Sequence, residues 1–234
     1  MNKGLEFLKM NHDKFSRIKN TITRYDNIEV AKGFYKGRLG TAHRSSRLNK
    51  EFELVKEFIN DFADKNSIAL DIGCSGGRYT EALAKGGFKA YAIDTSFTAL
   101  KYAKSLNPEA FFVQASVTHL PFKNEKFDLV LCIELMHHFD NYFLDVILKE
   151  ISRVIKPNGI LVCDLRNSLN PIMWYSYRKR DGTHFTLKTR TLFLMRAFLS
   201  KHDFIVTKKK NLLFPITVFA PYVIFFCRKQ QVSR

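Results

Sequence analysis

From Ile68 to Leu165 the chain alternates short, nearly continuous apolar runs with stretches whose apolar residues recur every three or four positions. The runs cover residues 68–72, 88–94, 110–114, 126–132 and 160–165, and each reads as a strand. Residues 79–85, 97–106 and 140–155 read as the intervening helices. Asp140 caps the last of these, with Leu144, Ile147, Leu148 and Ile151 on its inward face. Upstream, Leu48, Phe52, Val55, Ile59 and Phe62 form an amphipathic helix over residues 48–62. Leu8, Phe15, Ile18 and Ile22 predict one or two short helices in the first 22 residues, whereas residues 25–47 lack a clear apolar face and read as an irregular connector. Downstream, residues 192–199 predict a helix and residues 204–207 and 222–227 two strands. Lys156-Pro157-Asn158-Gly159 reads as a turn, with Asn158 suited to a left-handed backbone. Strand and helix in alternation predict an α/β fold with a doubly wound, parallel sheet.

The first strand runs into Asp71-Ile72-Gly73-Cys74-Ser75-Gly76-Gly77-Arg78 before the next helix begins. A small-residue turn there aims backbone N–H groups and a positive dipole end at a ligand, and glycine lets that ligand approach the main chain. The second strand ends in Asp94, 23 residues after Asp71. At the tip of a neighbouring parallel strand a carboxylate can accept both hydroxyls of a ribose. The dinucleotide fingerprint G-x-G-x-x-G fails at its third and sixth places, Ser75 and Arg78, so no pyrophosphate loop is predicted.

The glycine segment resembles motif I of the class I S-adenosylmethionine-dependent methyltransferases, acid-x-Gly-x-Gly-x-Gly. Asp71, Gly73 and Gly77 match, and Ser75 stands where the middle glycine is usual. Ser116-Val117-Thr118-His119-Leu120-Pro121-Phe122 and Phe127-Asp128-Leu129-Val130 are similar to two further segments of that family, with Ser116 replacing its usual acid. The Lys156-Pro157-Asn158-Gly159 turn and Leu135-Met136-His137-His138 also fit its pattern, and the match is good over residues 58–165. The resemblance implies a seven-stranded, mostly parallel sheet with the last strand antiparallel and a helical N-terminal extension. It implies S-adenosylmethionine as cofactor, held by Asp71, Gly73, Cys74, Ser75, Gly77, Asp94, Thr95, Ser116, Val117 and Glu134. His137 and His138 are candidate general bases, since imidazole can take a proton from a hydroxyl near neutral pH.

At 234 residues the chain suits one α/β domain with additions. Residues 48–234 are expected as the methyltransferase domain, with residues 1–47 as an N-terminal extension or lid and residues 166–200 as a substrate-side insertion. The net charge of +16 changes the picture through its distribution. Residues 61–165 carry 11 Lys and Arg against 13 Asp and Glu, while residues 166–234 carry 14 against two. Basic flanks around a near-neutral core point to an anionic partner: substrate, membrane surface or RNA. Cys74, Cys132, Cys163 and Cys227 show no paired or metal-ligand spacing, so neither a disulfide framework nor a metal site is expected. Residues 1–20 are charged and amphipathic rather than signal-like, which makes the cytoplasm the default location.

By the same resemblance the flanking segments cover the acceptor pocket, which makes Tyr35, Arg38, Trp174, Tyr177, Arg178 and His184 candidate substrate contacts. Residues 212–227 are the most apolar run but are interrupted by Pro215 and Pro221, too short and broken to span a bilayer. They predict a loop and a strand, with peripheral membrane contact through residues 211–221 as the alternative. Neither an Asn-Pro-Pro-Tyr motif nor a Pro-Cys nucleophile follows the fourth strand, which argues against the commonest base methyltransferases of nucleic acids. The expected reaction is methyl transfer to an O, N or C atom of a small, lipid-like or anionic molecule. An RNA methyltransferase and a cofactor-binding but inactive partner protein are the rival readings.

Overall fold

The computed structural model describes residues 26–38, 41–62, 66–178, 188–216 and 219–231, with the backbone alone at His43 and residues 176–178. The helices expected in the first 22 residues lie outside this set. Elements follow in the order α1 (Ile28–Tyr35), α2 (Ala42–Asp61), β1 (Ile68–Ile72), α3 (Arg78–Lys85), β2 (Lys89–Asp94), α4 (Phe97–Leu106) and β3 (Phe111–Gln114). Then come β4 (Phe127–Cys132), a single 3-10 turn (Met136–His138), α5 (Asn141–Val154), β5 (Ile155–Arg166), α6 (Pro171–Arg178), α7 (Leu192–Lys201), β6 (Phe204–Leu212) and β7 (Tyr222–Lys229).

The strands form one seven-stranded sheet in the order β3-β2-β1-β4-β5-β7-β6. Strands β1 to β5 are parallel, and β7 runs antiparallel to both β5 and β6. Successive side chains point to opposite faces of a strand, so the continuous apolar runs feed two cores. Leu70, Ile72, Val130 and Cys132 pack on one face with Ile147 and Ile151 of α5 and Leu199 of α7. Ala69, Leu129 and Leu131 pack on the other with Val55 and Ile59 of α2 and Leu83 of α3. Each such Leu or Ile side chain contributes about 1.5–3 kcal/mol by leaving water. Among the described residues no helix is long and apolar enough to cross a membrane.

Four boundaries differ from the sequence expectation. Residues 28–35, expected as irregular, are helical: the Asn27 side chain caps the helix by accepting from the amides of Glu29 and Val30. Helix α2 starts at Ala42, upstream of Leu48, where Thr41 accepts from the amide of Arg44 at 3.3 Å. Residues 156–159 are not a separate turn. They form a bulge within β5, opposite a register shift in β4, and Asn158 takes the left-handed conformation (φ 64°). Strand β6 runs on through Lys208, Lys209 and Lys210 to Leu212, because these residues pair with Phe226, Phe225 and Ile224 of β7. An edge strand with a wetted face carries no apolar periodicity, so its length was hidden.

Candidate active site

Strand order reverses between β1 and β4, and the carboxyl ends of the parallel strands there part around a crevice. A cavity of about 300 Å³ opens in it. Ser75, Asp94, Thr95 and Ser116 are among its polar lining residues, and Phe34, Leu48, Leu135, Phe139 and Phe143 among its apolar ones.

The glycine turn forms the floor. Gly73 has φ 72°, and a Cβ there would stand 3.3 Å from the Leu135 side chain. Amides of Gly73 and Cys74 both donate to the Ile93 carbonyl, at 2.8 and 3.0 Å, which locks the turn to the end of β2. Gly77 caps α3 with φ 80°, and a Cβ would meet that of Ala103 at 2.8 Å. At Gly76 an added Cβ would lie 2.3 Å from the Ala31 carbonyl oxygen of α1. The turn is therefore wedged between α1 and α4, and the glycines permit that packing. Ser75 adopts φ 45°, so the residue in the unusual position also takes a left-handed backbone.

Asp94 is built into this turn. Its Oδ2 accepts from the Ser75 amide and its Oδ1 from the Ser96 amide, both at 2.9 Å. Burial pushes its carboxyl above the usual range, and those amides pull it back. Asp71 behaves differently from the expectation that it faces the ligand. It lies beneath the turn, away from the cavity lining, and accepts a 2.6 Å bond from Thr80 Oγ1. Burial lifts its pKa to about 7, against the Thr80 hydrogen bond. Gly77 is likewise outside the lining, where it shapes the helix start.

Across the cleft, Glu134 has φ 60° and lines the cavity, but its carboxylate is already engaged. Arg47 of α2 grips it with two parallel bonds of 2.8 and 2.9 Å, and Arg166 at the end of β5 donates to the same Oε1. Burial opposes the Glu134 anion, and the two guanidinium groups outweigh it and hold its carboxyl well below the ordinary range. Arg47 also donates to Glu51 at 2.8 Å, and both arginines stack on the Tyr222 ring at 4.5 Å. The Glu134 amide donates to Asp164 Oδ1 at 2.8 Å. Arg47, Arg166 and Tyr222 carry no local sequence signal for this role; their partners are distant in the chain.

The two histidines separate. His138 lines the cleft. His137 is buried behind it, rings 4.2 Å apart, and its Nδ1 has no hydrogen-bond partner among the described residues. Burial, then the neighbouring His138 and Arg166, hold its pKa well below the ordinary value, so it stays neutral. Arg190, which sequence reasoning missed, fixes this loop by donating to the carbonyls of Met136 and Phe139 and to Asn141 Oδ1. Its burial brings its pKa down to about 10. Ser116 and Val117 line the cavity, with the Ser116 hydroxyl 2.8 Å from that of Thr118.

None of the three substrate-side candidates whose side chains are described lines the cavity. Tyr35 is absent from the lining because its hydroxyl donates to Glu81 at 3.1 Å, and its neighbour Phe34 faces the cavity instead. Arg38 and Trp174 are exposed and also absent from the lining. The side chains of Tyr177 and Arg178, and all of His184, lie outside the described residues.

The donor set fits a cationic nucleoside better than a phosphate. Glu51, Asp94 and Glu134 line the cavity, whereas Arg78, the one Lys or Arg among its described lining residues, is held by Asn49 and stacked on Phe52. Asp94 suits a ribose, Gly73 leaves room for close approach, and the acids suit an ammonium and a sulfonium.

Residues 70–163 match the family model described as a methyltransferase domain. A ubiquinone biosynthesis O-methyltransferase of Rickettsia bellii is 30% identical over 155 residues, covering 64% of this chain and 62% of that protein. An uncharacterized methyltransferase of Synechocystis is 37% identical over 106 residues, 45% of this chain and 50% of the relative. The chain thus spans less than two thirds of these curated relatives. Among solved structures, the magnesium protoporphyrin IX methyltransferase of Synechocystis with bound S-adenosylmethionine superposes with a TM-score of 0.70 at 14% identity, covering 93% of this chain and 97% of that one. A methyltransferase of Methanosarcina mazei gives 0.65 at 18% identity, covering 74% and 97%. Residues 70–163 thus match a methyltransferase domain, and the sheet order and the glycine turn agree with the class I S-adenosylmethionine-dependent methyltransferase fold.

Proposed function

We propose that the chain methylates an oxygen atom of a small, lipid-like acceptor. The observation that carries this reading is the mixed lining of the cleft: acids and hydroxyls at Asp94, Glu134, Ser75, Thr95 and Ser116, apolar side chains at Leu48, Leu135, Phe139 and Phe143, and His138 among them. The relative named for ubiquinone biosynthesis, an O-methyltransferase, supports the choice of oxygen.

In this reading Asp94 would hold the ribose hydroxyls, Ser116 and Val117 the base, and the Gly73-Cys74-Ser75 backbone the amino-acid end, all of them residues that line the cavity. S-adenosylmethionine, when bound, supplies an electrophilic methyl group on sulfur. Glu134 stays ionised between Arg47 and Arg166, which fix its carboxylate at the cavity wall. The apolar lining seats the acceptor and keeps water out. An imidazole nitrogen of His138 takes the acceptor hydroxyl proton, while neutral His137 supports its ring from behind.

The test is incorporation of a labelled methyl group into cell extract separated into lipid, small-molecule and RNA fractions. Label in the lipid fraction, lost about a hundredfold or more in kcat for His138→Ala with cofactor affinity intact, is the expected result. Label confined to RNA, or full activity in the variant, overturns the reading.

A further inference from the structure

Two apolar segments meet at the carboxyl edge of the sheet, the edge on which the cleft opens. Strand β5 ends there at Arg166, paired with Tyr222, so both α6 and the turn joining β6 to β7 start from that edge. Asn167 and Asn170 clamp them together: Asn167 Nδ2 donates to the Ala220 carbonyl at 3.0 Å and Asn170 Nδ2 to that of Phe219 at 2.7 Å. Met173 anchors α6 by its buried side chain. That orientation leaves Ile172 75% and Trp174 50% exposed, with Tyr175 outward beside them, while the turn presents Phe214, Ile216 and Phe219. An exposed apolar cluster of this kind marks a candidate interaction surface.

We propose that this face docks on an anionic phospholipid membrane. Charge selects the occupant. The exposed Lys208, Lys209 and Lys210 lead along β6 directly into the apolar turn, and residues 166–234 carry 14 Lys and Arg against two acids. The mix of aliphatic, Trp and Tyr side chains with flanking lysines matches the bilayer interface. Docked in this way, the cleft mouth faces the surface from which an apolar molecule can enter without crossing water.

Trp174 is the only tryptophan in the chain, so intrinsic fluorescence reports on this face directly. Vesicles of phosphatidylglycerol should carry the full chain down on sedimentation and shift its emission to the blue, and vesicles of phosphatidylcholine should do neither. Raising the salt from ~0.1 M to ~1 M, which shortens the screening length from ~10 Å to ~3 Å, should weaken binding by about tenfold or more. The double variant Ile172→Asp with Phe214→Asp, folded by its circular dichroism, should bind at least about tenfold more weakly. No response to phosphatidylglycerol, equal binding to both lipids, undiminished binding by the folded double variant, or capture of single-stranded RNA in place of vesicles would overturn the proposal. None of these readouts depends on methyl transfer, so its failure and that of the reaction assignment are distinguishable.

Discussion

Asp71 and Asp94 stand at the ends of adjacent parallel strands and look equivalent in the sequence, yet their surroundings divide their work. Asp94 takes two backbone amides and faces the cavity; Asp71 is sealed beneath the turn with Thr80. Burial raises the Asp71 pKa from 3.8 to about 7, so the folded chain holds a proton there that the unfolded chain releases. Its contribution to stability is therefore complete below about pH 4 and is lost as pH rises through about 7. We expect Asp71→Asn to flatten the fall in unfolding free energy between pH 5 and pH 8 by about 2–4 kcal/mol, measured by urea denaturation at each pH. A variant curve parallel to that of the unmodified protein would refute this. The acid was legible in the sequence; its direction was not, because spacing along the chain does not say which helix closes over a strand end.

At the scale of elements, Arg47 joins three that the sequence keeps apart: α2, the end of β4 and the start of β7. Its partner Glu134 is 87 residues away, and no local pattern distinguishes Arg47 from the basic and aromatic residues around it. Removing the guanidinium leaves buried Glu51 and Glu134 short of compensation, and breaking a buried pair from one side costs about 3–5 kcal/mol. Arg47→Ala should lose about that much stability in chemical denaturation. Arg47→Lys should recover only part of it, since an ammonium cannot reproduce the two-pronged contact. Full recovery with lysine would show that charge alone matters. The central strands β1 and β4 were readable because their apolar runs are buried nearly throughout. Helix α1 and the extended β6 escaped notice, one being short and half-exposed, the other an edge strand of lysines.

Over the whole molecule, the polar lining of the cleft was legible because its parts lie close together in the chain, and the apolar lining was not, since Phe34, Leu48 and Phe143 come from three separate helices. Helix α1 spans the glycine turn: Asp26 accepts from the Ser96 hydroxyl at 2.6 Å, Tyr35 reaches Glu81, and Phe34 lines the cavity. Adding S-adenosylmethionine should slow amide exchange in residues 28–35 by about tenfold or more and leave β6 unchanged, as measured by mass spectrometry. Equal exchange in both states would separate α1 from cofactor binding. Strand β6, finally, has a single neighbour among the described residues, so that rim of the sheet offers backbone donors and acceptors to any extended chain that drifts by. Three successive exposed lysines on that rim repel a second copy presenting the same three, which guards crowded molecules against zipping into fibrils. The opposite rim, β3, has only four residues, and there Lys89 sits over the exposed Phe111 ring at 5.4 Å, a brief and charged ledge that is equally poor as a template.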